Sequence, residues 1–160
     1  MDDDLKDVID TQINDIERRI ESVIARAKPL AVRAGAGLLR SIPGIGPVSA
    51  AMLIVELPEL GRMTSGDAAA MTGLAPVSHD GGAMRGGRAI AGGRRSLRRV
   101  LFQAALAAAC HNPVLKPVAK RLKERGKPHK LVIIAIARRL VTIANAIIKT
   151  GTPWRLQFGA

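Results

Sequence analysis

The chain has 160 residues, enough for one domain with a small appendage. Apolar residues make up 48% but aromatics only 2%, Phe102, Trp154 and Phe158 with no Tyr; such a core is aliphatic, suits helices more than sheets, and the count nearly excludes a stacking platform for single-stranded nucleic acid. Net charge is +12, with 8 Lys/Arg against 12 Asp/Glu over residues 1–80 and 13 against the single acid Glu124 over residues 81–130; so basic a middle third points to an anionic partner, nucleic acid by default, with a solubilising surface as the plain alternative.

The first segment reads as one long helix. Ile9, Ile13, Ile16, Ile20, Val23 and Ala27 alternate four and three residues apart, which is an a/d seam of a coiled coil. Such a seam needs a partner helix, and a homo-oligomer supplies one. Asp2, Asp3 and Asp4 sit where a helix dipole favours negative charge; as consecutive residues they point in three directions and make a poor metal site. An acidic N-terminus is unlike a secretion signal, and the apolar stretch Leu131 to Ala137 stops at Arg138-Arg139, short of a bilayer's width. A soluble, cytoplasmic protein without a membrane contact is therefore expected. The lone Cys110 lies in an apolar run and is expected to be a buried, inert thiol.

After Lys28-Pro29 and the Gly35-Ala36-Gly37 stretch comes LLRSIPGIGPVSAAMLIVEL. Two apolar arms flank Ile42-Pro43-Gly44-Ile45-Gly46, the helix-hairpin-helix pattern of hydrophobic-x-Gly-hydrophobic-Gly, with Ala50 as its small final residue. Glycines allow a tight turn and close approach of backbone to phosphate. The first amides of the second arm are then free to donate to phosphate oxygens. Ile45 would root the hairpin in the core. A hairpin used only for packing would carry the same residues.

A short helix is expected around Gly66 to Met71. Residues 76–95, PVSHDGGAMRGGRAIAGGRR, form a Gly/Arg-rich loop. A plain linker has no need to concentrate arginine, which favours a loop that meets phosphate backbone. Three helices follow. Ser96 to Cys110 has an apolar face with Arg95, Arg98 and Arg99 opposite; Asn112-Pro113 reads as an N-cap and first helical residue of a helix ending near Arg125-Gly126; and Pro128 opens the last, with Gly151 as its C-cap. The expected fold is all-α: an N-terminal coiled-coil helix over residues 1–34, then a compact helical domain over 35–160, with the helix-hairpin-helix at about 38–57.

From Leu39 onward the blocks IPGIGPVSAAMLIVELPELGRM, GLAPV, the Gly/Arg loop and LRRVLFQAALAAACHNPVLKPVAKRLKERGKP run in a distinctive order, ending near Pro153-Trp154. Over about three-quarters of the chain this closely resembles the C-terminal domain of insertion-sequence transposases related to the pilin-inverting recombinases. The resemblance implies cutting and rejoining DNA at the ends of a mobile element, guided in some members by a structured RNA. It also implies a separate RNase-H-like domain whose four acidic residues hold divalent metal, and a serine nucleophile in an Asp-Ser-Gly step of the Gly/Arg loop. The seam resembles the coiled coil that joins the two halves in that family.

Two departures matter. No dispersed acidic set stands outside the first helix, since Glu56, Glu59, Asp67 and Asp80 do not replace it. Aligned on Pro76-Val77 and Asp80, the expected serine position is Gly81, which has no nucleophile. Ser78 would need a shifted loop to serve, and His79 beside it has no third partner. A milder departure is Ala119, where the family tends to have an aromatic. The expectation is a DNA-binding chain with no catalytic residue, metal or cofactor of its own. Its contacts would come from Gly44, Ile45 and Gly46 through backbone, and from Arg85, Arg88, Arg94, Arg95, Arg98, Arg99, Lys127 and Lys130 through charge. Two other readings stay open: a helix-hairpin-helix accessory protein without transposition history, and an oligomerising interaction or regulatory protein without catalysis.

Overall fold

A computed structural model of the chain describes residues 2–26, 30–74 and 93–155. The described residues are all helix, turn and loop, as the aliphatic composition predicts. Seven helices follow in order: α1 (Asp2–Arg26), α2 (Leu30–Arg40), α3 (Pro47–Glu56), α4 (Ser65–Met71), α5 (Gly93–His111), α6 (Leu115–Glu124) and α7 (His129–Thr150).

The centre of the molecule is the α5–α7 pair. Helix α3 packs on α5, α4 and α2 pack on α7, and α6 closes over both central helices. Leu97, Leu101, Ala104, Ala105 and Ala108 of α5 meet Val132, Ile133, Ile136, Leu140 and Ala144 of α7 in one buried cluster. Small alanines between large aliphatics allow the two helices a close approach, and each fully buried Leu or Ile stabilises by about 1.5–3 kcal/mol relative to exposure.

Polar pins fix the connections. Asn145, buried on α7, accepts from the Gly61 amide at 2.7 Å and donates to the Met63 carbonyl at 2.8 Å, so it holds the turn between α3 and α4. Thr64 and Asp67 form a reciprocal capping box at the start of α4. The Ser41 hydroxyl accepts from the Trp154 amide at 2.8 Å, which ties the C-terminal tail to the end of α2.

Two expectations need correction, and one glycine stretch finds its place in a helix. Cys110 is exposed, not buried: the core face of α5 runs through Leu97, Leu101, Ala104 and Ala108, and a residue two beyond Ala108 lies on roughly the opposite side of a 3.6-residue helix. The Gly35-Ala36-Gly37 stretch is inside α2, where Ala36 is buried and Gly35 faces Ile54 and Ile148 at ordinary contact distance. Finally, α7 continues through Arg138-Arg139 and, at 22 residues, is long and apolar enough to cross a membrane by length and composition; half of its most apolar stretch is buried, as the core helix of the bundle.

Candidate nucleic-acid interface

Helices α2 and α3 are joined by the turn Ser41 to Gly46. Ile42 and Ile45 are both buried, and the Ile45 amide closes the turn on the Ile42 carbonyl at 3.0 Å. Ala50 of α3 is fully buried.

The two glycines do different work. Gly44 has φ 109°, and a Cβ added there would lie 2.6 Å from the Ala108 Cβ and 2.9 Å from the backbone of α5. The turn therefore seats directly on α5. Gly46 has extended backbone, φ −90°, and nothing stands within 4 Å of an added Cβ. It is the N-cap of α3 and no side chain caps the helix, while Pro47 occupies the first turn. Helix geometry leaves the amides of Val48 and Ser49 without intrahelical acceptors. They are the donors an approaching anion would meet.

A single buried side chain holds this turn in place. Asn112, between α5 and α6, donates from Nδ2 to the Pro43 carbonyl at 3.0 Å, and its Oδ1 accepts from the amides of Val114 and Leu115 at 2.9 and 3.1 Å. Its expected capping role is thus present, although the first regular residue of α6 is Leu115 instead of Pro113. The added tie to Pro43 links positions 69 residues apart and has no local sequence signal.

Cations gather on α5 and α6. Arg95, Arg98 and Arg99 are exposed on the first turns of α5, with the stem of Arg98 laid across Gly73: an added Cβ there would be 3.0 Å from its Cδ. Arg94 belongs to the first turn of α5. Lys127 is exposed between α6 and α7, and Lys130 is exposed in the first turn of α7. Arg85, Arg88, Ser78, His79 and the Gly81 position lie outside the described residues. Sequence reasoning passed over Lys116, Lys120, Arg121 and Lys123, all exposed on α6. Their spacing off the apolar positions Leu115, Val118, Ala119 and Leu122 was the available signal.

On α6, Glu124 approaches Lys120 at 4.0 Å, and beside the start of α5 the Glu56 Oε1 accepts from the Ser96 hydroxyl at 2.7 Å. Arg40 at the end of α2 is paired with Glu21 of α1 at 2.8 Å. A cleft of about 540 Å³ elsewhere carries mixed charge, lined by Glu59, Arg62 and Asp67 with Pro58, Met63 and Met71. The divalent metal implied by the family resemblance does not fit here. Glu56 and Glu59 each keep a buried carboxylate oxygen without a hydrogen bond, but among the described residues no three His, Cys, Asp or Glu side chains gather into a donor set.

The chain is similar to insertion-element, transposase and pilin gene-inverting proteins. It is 30% identical over 147 residues to the uncharacterized 43.6 kDa protein of insertion element IS110 from Streptomyces coelicolor, covering 89% of this chain and 35% of that protein. It is 34% identical over 123 residues to the pilin gene-inverting protein of Moraxella bovis, covering 74% and 38%. A putative transposase of Sinorhizobium fredii is 32% identical over 130 residues, covering 73% and 32%. The chain thus spans about a third of the length of these relatives. The profile of the transposase family IS116/IS110/IS902 matches residues 36–120, the stretch from α2 into α6 that contains the turn, the Gly/Arg segment and α5. With more than half of its residues inside that match, the chain belongs to the IS116/IS110/IS902 transposase family.

Proposed function

We propose that this chain is the DNA-gripping part of a transposition or recombination system, and that it does not cut or join strands by itself. The observation that carries the reading is the α2–α3 turn, with one glycine seated on α5 at Ala108 and the other open beside uncapped amides, in a chain whose α5 and α6 expose far more cations than acids. A helix-hairpin-helix of this kind holds duplex backbone through main-chain donors, while arginines add charge without reading sequence. Arg95, Arg98 and Arg99 supply that charge on α5. Arg85, Arg88 and Arg94 add to it from the Gly/Arg segment, with Lys127 and Lys130 beyond α6. Gly81 at the expected nucleophile position supports the absence of strand chemistry in this chain. The structured RNA that the family resemblance implies for some members would be a second ligand for the same cations.

The test is binding of labelled duplex DNA and a structured RNA by the full chain across a salt series. Duplex affinity is expected to fall steeply with salt. Replacing Arg95 and Arg99 by Ala should reduce the log–log slope by about 1.8, at roughly 0.9 per lost phosphate contact, and to the same extent for all sequences. An unchanged slope removes α5 from the interface, and no duplex binding near physiological salt removes the reading.

One observation favours an additional role. The seam of α1 keeps Ile9, Ile13, Ile16 and Val23 exposed. A second copy of the chain is the occupant its a/d spacing suits, giving a homo-oligomer through paired α1 helices.

A further inference from the structure

The basic face of α6 has a geometry of its own. Leu115, Val118 and Ala119 are buried and Leu122 packs beside them, so the helix cannot roll on the bundle. Lys116, Lys120 and Lys123 then stand at i, i+4 and i+7 on its outer side, neighbours about 5–6 Å apart along one stripe. They cover roughly 10 Å of helix axis at 1.5 Å per residue. One strand of a B-DNA duplex places a phosphate about every 3.4 Å of its axis, so a stripe of that length faces on the order of three phosphates. The stripe has no aromatic residue on which an unpaired base could stack.

Asn112 joins this stripe to the α2–α3 turn. It is fully buried, its Nδ2 holds the Pro43 carbonyl, and its Oδ1 holds the first amides leading into α6. Neither the turn nor the start of α6 can shift without breaking one of these bonds. Lys116 follows within one helical turn of Asn112, its amide bonded to the Asn112 carbonyl at 2.9 Å.

We propose that the Lys116–Lys120–Lys123 stripe of α6 is a second contact to the phosphate backbone of duplex DNA, held in register with the α2–α3 turn by Asn112. The inference rests on the DNA-binding reading above and adds to it a surface and a positioning residue. Glu124 works against the stripe by drawing on Lys120 at 4.0 Å.

The experiment uses the full chain and labelled duplex DNA in a salt series, with three variants. Lys116→Gln/Lys120→Gln/Lys123→Gln should lower the log–log slope by about 2.7, three contacts at roughly 0.9 each. Glu124→Gln should tighten binding, roughly two- to fivefold for release of one exposed pair, a gain that damage to the fold would not produce. Asn112→Ser keeps an oxygen able to cap α6 but is too short to reach Pro43. In that background the triple substitution should cost less than in the parent, because turn and stripe no longer engage together. If the parent chain binds duplex and the triple variant keeps its slope, the stripe is no contact and this inference falls while the DNA-binding reading stands. A slope lost on structured RNA but kept on duplex overturns the assignment to DNA. Failure of the parent chain to bind duplex removes both.

Discussion

Helices α1 and α7 are the two longest in the chain, at 25 and 22 residues, and both carry apolar side chains at helical spacing. Their surroundings differ completely. Val132, Ile136 and Leu140 of α7 are fully covered by α2, α4, α5 and α6, whereas Ile13 and Ile16 of α1 remain about half exposed. Only the later part of α1 is tied to the body, with Ile20 partly buried and Glu21 paired to Arg40. The density of apolar residues explains the difference. Helix α7 carries a broad apolar face, which calls for several neighbours; α1 carries one narrow stripe between rows of charge, which a single partner helix can cover. A periodic pattern therefore says how many neighbours a helix wants, and leaves open whether its own chain provides them.

The comparison is broken most severely inside the bundle. Leu140→Ala would remove a fully buried side chain from α7 and leave a cavity, expected to destabilise by about 2–5 kcal/mol in chemical denaturation. A loss under 1 kcal/mol would mean that α7 is not held as tightly as its burial implies. Next comes the seat of the α2–α3 turn. Gly44→Ala puts a methyl 2.6 Å from the Ala108 Cβ and 2.9 Å from α5 backbone, at a residue already at φ 109°. Helix backbone cannot yield as a flexible side chain could, so a loss of roughly 2–3 kcal/mol is expected in the same assay. Gly46→Ala, with nothing within 4 Å of the new methyl, serves as the control; it should leave folding nearly intact.

Most of the helical architecture was legible in the sequence, because it rests on local rules. Apolar spacing marks α1, α3, α5 and α7. Pro128 and Gly151 bracket α7 as N-cap and left-handed C-cap, and Gly126 with φ 76° follows α6. The charged face of α5 was legible for the same reason. What local rules could not supply were the long-range fits. Cys110 was misplaced because an apolar run does not reveal which side of α5 meets α7. The place of Gly35-Ala36-Gly37 inside α2, with Ala36 buried, depends on what distant residues pack against that helix. The bond from Asn112 to Pro43 likewise depends on a fold in which α5 ends at the turn. The lysine stripe of α6 is present in the sequence, but its spacing is also that of any solvated face opposite an apolar one.

The smallest effect on folding, and the sharpest on assembly, is expected at α1. Ile13→Ser changes a side chain that is 47% exposed and contributes little to the bundle, and Ser and Ile differ little in helix propensity. Unfolding of the monomer should shift by no more than about 0.5 kcal/mol. If two copies pair through the seam, however, Ile13 is one of its a/d positions and a hydroxyl there would be buried without a partner in the dimer. Sedimentation equilibrium of the parent chain should then show self-association that strengthens with concentration, and the Ser variant should remain monomeric under the same conditions. A parent chain that stays monomeric at high concentration would assign the seam to another partner helix. Self-association unaffected by Ile13→Ser would place the contact elsewhere and leave the exposed stripe of α1 unexplained. Only the combination of an unmoved monomer and a lost dimer fits a helix whose missing neighbour is a second α1.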